Sequence, residues 1–162
     1  KELHGRYDAI LRFVAKNSGA SHGDIVSYVR SVSDQTDEQV GGYLRTFVEK
    51  YQIIEKRLPI FAKPNARSGR YYITDNFLRA WLGALSSCVG AVNFSPLEEL
   101  VQRADTQLAA VEGKSFEKLV ATLYAERSRK ALGDFALTQR IDGYWDPGDV
   151  EIDLVALDEN RS

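Results

Sequence analysis

Methionine is absent from the 162 residues, and cysteine and histidine are scarce, with Cys88, His4 and His22 as the full set. A single cysteine cannot form an intrachain disulfide, and two histidines beside it do not make a zinc site of the usual spacing. No apolar run approaches the roughly 18 residues of a membrane span, and the start lacks the basic-then-apolar order of a signal peptide. These absences predict a cytoplasmic protein with no membrane partner.

The chain begins at Lys1 without a methionine, which predicts a piece of a longer polypeptide. Its 44% hydrophobic and 27% charged residues are typical of a folded protein. The net charge of -2 hides an uneven distribution, because residues 1–70 hold 12 basic and 8 acidic residues (+4) and residues 71–162 hold 9 and 15 (-6). The N-terminal part is therefore the part that we expect to meet nucleic acid.

Apolar residues at helical spacing predict three helices within residues 3–51. A capping pair, Ser21 with Asp24, marks the start of the second helix, and Thr36 with Gln39 marks the start of the third. In each pair, the side chain of the first residue can accept a hydrogen bond from the backbone N–H three residues later. The side chain of that later residue can in turn accept one from the backbone N–H of the first residue. The starts of these two helices are thus predicted from purely local signals.

The third helix is expected to bury an apolar stripe that runs through residues 40–51 and to expose its opposite face. Gln39 and Arg45 lie on the exposed face, where they could touch base edges or phosphates in a major groove. Gly41 and Gly42 interrupt the helix, and each costs about 1 kcal/mol relative to alanine. We expect a neighbouring helix, rather than DNA, to approach the backbone at these glycines.

Two strands, 53–61 and 69–73, are predicted to form a hairpin after the third helix. Between Lys56 and Arg70 there are five basic residues and no acid, which suits contact with a phosphate backbone. These residues are Lys56, Arg57, Lys63, Arg67 and Arg70. Three helices and a hairpin predict a winged helix-turn-helix domain over residues 1–85. Two alternatives remain open: winged helices also act as protein-binding modules, and a basic loop is often only a solvent-exposed segment with no binding role.

The chain as a whole is expected to have an α+β organisation, with a linker at residues 86–94 and a second domain at residues 95–162. A helix is expected to begin at Ser95-Pro96, and a longer one to end near Gly133. Strands are expected at 136–145 and 150–157.

Asp153 lies within the apolar run of the last predicted strand. Burying this carboxylate in a core would cost free energy unless a cation or a hydrogen-bond donor met it. On the long helix, Glu117 adjoins the apolar stripe of Phe116 and Val120, with the small residue Gly113 one turn away. Small neighbours leave room for a ligand, so Glu117 is the expected partner of Asp153, although a hydrogen-bonded structural acid is an alternative.

Three segments together carry a family resemblance: 113–117 (Gly-Lys-Ser-Phe-Glu), the Gly-Tyr-Trp-Asp turn at 143–146, and 151–156 (Glu-Ile-Asp-Leu-Val-Ala). They resemble the C-terminal domain of a family of archaeal and bacterial AAA-type ATPases, a domain similar to the PD-(D/E)XK, or restriction-endonuclease-like, fold. In that family a winged helix precedes the domain, and residues 68–81 look like its wing and following helix. The resemblance implies a winged helix followed by a truncated α/β nuclease-like domain.

By this resemblance, Glu117 and Asp153 match two catalytic acids that hold Mg²⁺ or Mn²⁺ in a complete domain. The strand that should supply a further acid and a lysine is missing, so the chain alone is expected to be inactive. The expected partners are DNA and an ATP-binding AAA module in the same polypeptide, and an oligomer is compatible with this. The alternatives are a non-catalytic interaction tail of the ATPase and a winged-helix transcription regulator.

Overall fold

A computed structural model describes residues 2–33, 36–64, 66–127, 131–132, 135–136, 141–146 and 150–158. The chain is a mixed α and β protein with small antiparallel sheets. The helices are α1 Glu2–Lys16, α2 His22–Val32, α3 Asp37–Arg45, α4 Asn76–Ala80, α5 Ser86–Gly90 and α6 Leu97–Glu126, with π-helical segments at Thr46–Lys50 and Trp81–Leu85. The strands are β1 Ala20–Ser21, β2 Ile54–Arg57, β3 Arg70–Ile73, β4 Ala131–Leu132, β5 Phe135–Ala136, β6 Asp142–Trp145 and β7 Glu151–Val155.

The largest sheet has the strand order β1-β3-β2, and all of its pairs are antiparallel. Ile54 pairs with Ile73 in its register, and both side chains are buried against the helices. The other two sheets are the two-stranded pairs β4-β5 and β6-β7. Between β6 and β7 the register shifts near Gly143, as at a β-bulge.

The chain separates into two compact units, which divide it differently from the predicted domains 1–85 and 95–162. Unit 1 consists of Lys1–Arg57 and Gly69–Glu112, and unit 2 of Leu58–Ser68 and Gly113–Ser162. The loop of the predicted hairpin, Leu58–Ser68, therefore groups with the C-terminal residues; we call it the hairpin loop.

The two predicted capping pairs are confirmed. Ser21 Oγ accepts a hydrogen bond from the Asp24 backbone N–H (3.2 Å), and the Asp24 carboxylate accepts one from the Ser21 N–H (2.9 Å). Hydrogen bonds from the Ser21 hydroxyl and backbone hold the pKa of Asp24 below its ordinary value, and the charge of Arg70 acts in the same direction. Thr36 and Gln39 form the same reciprocal pair at the start of α3.

The core of unit 1 is formed by the first three helices, the three-stranded sheet and the π-helical segment that follows α4. Its largest fully buried side chains are Ile10, Ile25, Leu44, Ile54, Ile73, Val14, Val29 and Val40. The predicted inward face of the third helix is confirmed at Val40, Leu44 and Phe47, whereas Tyr51, at its end, is exposed. Side chains that are distant in sequence thus come together around α3.

Several predicted boundaries differ from the structure. The first hairpin strand spans only Ile54–Arg57, because the chain turns at Pro59. Ser86–Gly90 was predicted to lie in the linker 86–94, but it is helical and Cys88 within it is buried. The two helices predicted after Ser95 are one 30-residue helix, α6, which ends at Glu126 rather than near Gly133. Residues 137–140 of the predicted strand 136–145 lie outside the described part of the chain.

The expectation that a neighbouring helix crowds both glycines of α3 is wrong. A Cβ added at Gly42 would meet no atom within 4 Å, and one added at Gly41 would lie 3.7 Å from His22 Nε2, an ordinary contact. Packing therefore does not require glycine at either position.

Candidate functional site

Lys114 brings together the two acids that the sequence singled out. Its Nζ donates a hydrogen bond to Glu117 Oε2 at 2.9 Å, one helical turn along α6, and lies 3.6 Å from Asp153 Oδ1 on β7. We call these three residues the acid–lysine cluster. The ammonium group thus occupies the position between the two carboxylates.

Charge dominates the environment of Lys114. Partial burial by itself would lower the pKa of Lys114, but the hydrogen bond to Glu117 and the negative charges of Glu117, Asp153 and Glu151 outweigh burial and raise that pKa above its ordinary value. Lys114 is therefore a firmly held cation at neutral pH. Because all of these side chains are partly open to water, the ion pairs are expected to contribute at most about 1 kcal/mol each to stability.

Asp153 is not enclosed by a core, although it lies in an apolar run of the sequence. Its side chain is 57% exposed, and Ile152 beside it is exposed as well. On α6, the apolar stripe expected to be core is also open to solvent: Phe116 is 67% exposed, and Leu119 and Leu123 are exposed too. Asp153 therefore remains hydrated, and its carboxylate needs no cation to offset a cost of burial. Its ion pair with Lys114 follows from the position of that lysine on α6.

The acid–lysine cluster does not by itself fit a divalent metal ion. Mg²⁺ and Mn²⁺ favour several oxygen ligands around an open centre, whereas here an ammonium group lies between two carboxylates. Within the described ranges, no three histidine, cysteine, aspartate or glutamate side chains are grouped so as to hold a metal ion. The metal-binding role of Glu117 and Asp153 remains a prediction for a longer polypeptide.

The two predicted base-reading residues lie on the exposed side of α3. Gln39 is exposed, but its Oε1 accepts a hydrogen bond from the Thr36 N–H (3.2 Å), so it already serves as part of the helix cap. Arg45 lies exposed in the last turn of α3 and forms no ion pair with any described residue. Of the two, Arg45 is the side chain available to an outside partner.

The five basic residues of the hairpin fall into two groups. Arg57 pairs with Glu55 (2.5 Å), and its guanidinium lies 4.7 Å from the centre of the Tyr72 ring. Arg70 is partly buried on β3, where its charge acts on Asp24. In contrast, Lys56, Lys63 and Arg67 are exposed, and none of them forms an ion pair within the described ranges. Lys56 belongs to unit 1, and Lys63 and Arg67 belong to unit 2.

Contacts between described residues attach the hairpin loop to β6. The Ile60 N–H donates to the Gly143 carbonyl (2.9 Å), and the Trp145 Nε1–H donates to the Ser68 carbonyl (2.7 Å). The ring of Phe61 lies 6.0 Å from the ring of Tyr144, centre to centre. Trp145 is buried by this arrangement. The loop is therefore fixed to the strand near both of its ends.

Sequence reasoning gave no role to Lys114 or to the attachment of the hairpin loop. The spacing of Lys114 and Glu117, three residues apart on a helix, was a usable local signal for their ion pair. The contact between Ser68 and Trp145 had no such signal, because 77 residues separate its partners. Only the folded arrangement reveals it.

The fold and the site define a mixed α and β protein with an acid–lysine cluster and an exposed, partly basic surface. The chain belongs to the DUF234 family, described as "Archaea bacterial proteins of unknown function", which matches residues 81–162. It is also 29% identical over 120 residues to an uncharacterized protein of Methanocaldococcus jannaschii. That alignment covers 73% of this chain and 26% of the relative, so the chain spans about a quarter of the relative's length. No solved structure matches the chain with significance. Each described helix is too short or too polar to serve as a membrane span.

Proposed function

We propose that unit 1 binds duplex DNA as a winged helix-turn-helix and that the chain works as the C-terminal part of a longer, DNA-associated AAA-type ATPase. The observation that carries the proposal is the order of elements in unit 1. Helices α1, α2 and α3 and strands β1, β2 and β3 follow one another in the order that a winged helix uses, with β1 between the first two helices. In such a domain, α3 is the helix that enters the major groove.

The exposed face of α3 supports this role but predicts modest affinity. Arg45 is exposed near the end of the helix, and Lys56 is exposed on the strand that follows. Glu38 and Glu49 are exposed on or just after the same helix and would repel phosphate. With so few exposed cations, the contribution of phosphate contacts to affinity should be modest, and with Arg45 as the available base-reading side chain little sequence discrimination is expected.

The link to an ATPase is supported by the resemblance in sequence and by the length of the relative. Three quarters of the Methanocaldococcus jannaschii protein lies outside its alignment with this chain, which leaves room for a further module. ATP would bind to that module and not to the residues present here. A non-catalytic interaction tail of the same ATPase, or a free winged-helix regulator, is the competing function.

A salt titration of duplex DNA binding tests the role of unit 1. In the double variant Arg45→Ala, Lys56→Ala, we expect weaker binding and a slope of log K against log salt that is smaller by about 0.9 for each lost phosphate contact. Fluorescence anisotropy with a labelled duplex measures both quantities. Lys16→Ala is the matched control, because Lys16 is also an exposed cation of unit 1 but lies at the end of α1.

The two competing outcomes are easily separated. If the double variant has the same affinity and salt slope as Lys16→Ala, α3 and the hairpin do not contact DNA and the proposal is wrong. If the parent chain binds no duplex even at low salt, the interaction-tail function is favoured instead.

A metal-dependent phosphodiesterase in the longer polypeptide is a second candidate, and the observation that favours it is the convergence of Glu117 and Asp153 on one cation. For this chain alone, we expect calorimetry to show no binding of Mg²⁺ or Mn²⁺, because Lys114 already neutralises the carboxylates. In a longer version, the acid of the expected acid-x-Lys strand would add an oxygen ligand, and the ion would displace the Lys114 ammonium group from between the two carboxylates.

In that longer version, Asp153→Ala should abolish the heat of binding, whereas Glu126→Ala should not. Glu126 is a suitable control because it is an exposed acid at the far end of α6. Binding that persists in Asp153→Ala would remove this residue from the metal site, and the lack of any heat in the longer version would end the nuclease candidate.

A further inference from the structure

The hairpin loop carries an exposed aromatic residue in a cationic setting. Phe61 is 65% exposed, although its neighbours Pro59 and Ile60 are buried or partly buried. The loop has two basic residues, Lys63 and Arg67, and no acid, and both side chains are exposed. A loop that exposes both a ring and two cations that form no ion pair within the described ranges suits a ligand that is both planar and negatively charged.

The backbone of the loop is well fixed around Phe61. In one turn the Ala62 N–H donates a hydrogen bond to the Pro59 carbonyl (2.8 Å), and in a second turn the Ala66 N–H donates one to the Lys63 carbonyl (2.9 Å). The bonds from Ile60 to Gly143 and from Trp145 to Ser68 hold the loop on β6. Little conformational entropy would be lost at residues 59–62 when such a surface binds a ligand, since hydrogen bonds already hold the backbone there.

Tyr144 adds a second ring to the surface. Its ring is tilted by 59° against that of Phe61, and its hydroxyl donates to Asp146 at 3.5 Å. The carboxylate of Asp146 would repel a phosphate on this side. A bound nucleotide would therefore turn its uncharged base toward the two rings and its phosphate toward Lys63 and Arg67.

We propose that Phe61, with Tyr144, Lys63 and Arg67, forms a stacking site for an unpaired nucleotide of single-stranded DNA. Aromatic side chains beside a cationic groove are the usual means of binding single strands, and stacking does not depend on base identity. The bases of an intact duplex are already stacked on each other and offer no face to Phe61. The site thus extends the proposed DNA binding of unit 1 and rests on it only in assuming that DNA is the partner.

The test compares the affinity of the full chain for an oligothymidylate and for a duplex of mixed sequence at one salt concentration. Phe61→Leu should weaken binding of the single strand on the order of tenfold, as expected for the loss of one stacked base. Phe61→Tyr should retain the affinity, because it keeps the ring. Phe77→Leu is the matched control, since Phe77 is 74% exposed on α4 in unit 1.

The outcomes separate this site from the DNA-binding role of unit 1. If Phe61→Leu binds the oligothymidylate as the parent chain does, or if the parent does not bind it at all, the stacking site is wrong. Duplex binding that is lost in Arg45→Ala, Lys56→Ala would then still support the function of unit 1. Conversely, single-strand binding that depends on Phe61 in a chain with no duplex binding would support the stacking site and refute the winged-helix role.

Discussion

Leu44→Ala is expected to lower the free energy of unfolding by about 2–5 kcal/mol, because it leaves a cavity in the middle of the core of unit 1. Leu44 is 2% exposed and lies on α3 between Val40 and Phe47, which are also buried. Equilibrium denaturation followed by far-ultraviolet circular dichroism would measure the loss. A loss of this size is a large share of the total stability of a domain.

The adjacent residue is the natural control for this experiment. Arg45 is exposed, so Arg45→Ala should change the free energy of unfolding by no more than about 0.5 kcal/mol. The two neighbours are then expected to have separate roles: Leu44 in folding and Arg45, under the proposed function, in binding DNA. Equal effects of both substitutions on stability would show that the inward and outward faces of α3 are assigned wrongly.

Gly83→Ala is expected to destabilise the protein by about 1–3 kcal/mol through overpacking. Gly83 lies in the π-helical segment after α4, and a Cβ there would come within 3.0 Å of the carbonyl oxygen of Ala15 and 3.3 Å of its carbonyl carbon. Since these are backbone atoms of α1, the two segments would have to move apart. Thermal unfolding would record the change as a lower Tm.

Gly42→Ala supplies the control with the opposite sign. The same substitution at this open position of α3 should raise the stability by about 0.5–1 kcal/mol, because alanine loses less backbone entropy in a helix. If both glycine variants changed Tm in the same direction, the close approach of α1 would not be what requires glycine at position 83. Weaker duplex binding by the stabilised Gly42→Ala variant would indicate that DNA is the neighbour that needs the glycine.

The features predicted correctly are those determined by a few adjacent residues. The capping pairs at Ser21 and Thr36 depend on side chains three residues apart, and the stripe of α3 depends on helical spacing. The order of the first three helices and of strands β2 and β3 follows from such signals, whereas β1 and α5 were not predicted. The sequence also predicted that Glu117 and Asp153 are partners, and in the structure both carboxylates lie next to the Lys114 ammonium group.

The features predicted wrongly depend on what packs against a segment. An apolar run indicates a strand or helix, but whether it is buried depends on partners elsewhere in the chain, and Ile152 and Phe116 are exposed. The assignment of the hairpin loop to unit 2 follows from its contacts with β6, far along the sequence. Neither property has a local pattern from which it could be predicted.

The unequal distribution of buried side chains has a consequence for how the protein unfolds. Among the residues of unit 2 whose side chains the structure describes, only Pro59 and Trp145 are buried, whereas unit 1 holds most of the hydrophobic core. With so little buried apolar area, β6, β7 and the hairpin loop should open at a lower free energy than the helices. Hydrogen exchange would then show two protection classes, and a single Tm would describe unit 1 alone. The stacking site would be lost on mild heating, well before the helices that carry Arg45 unfold.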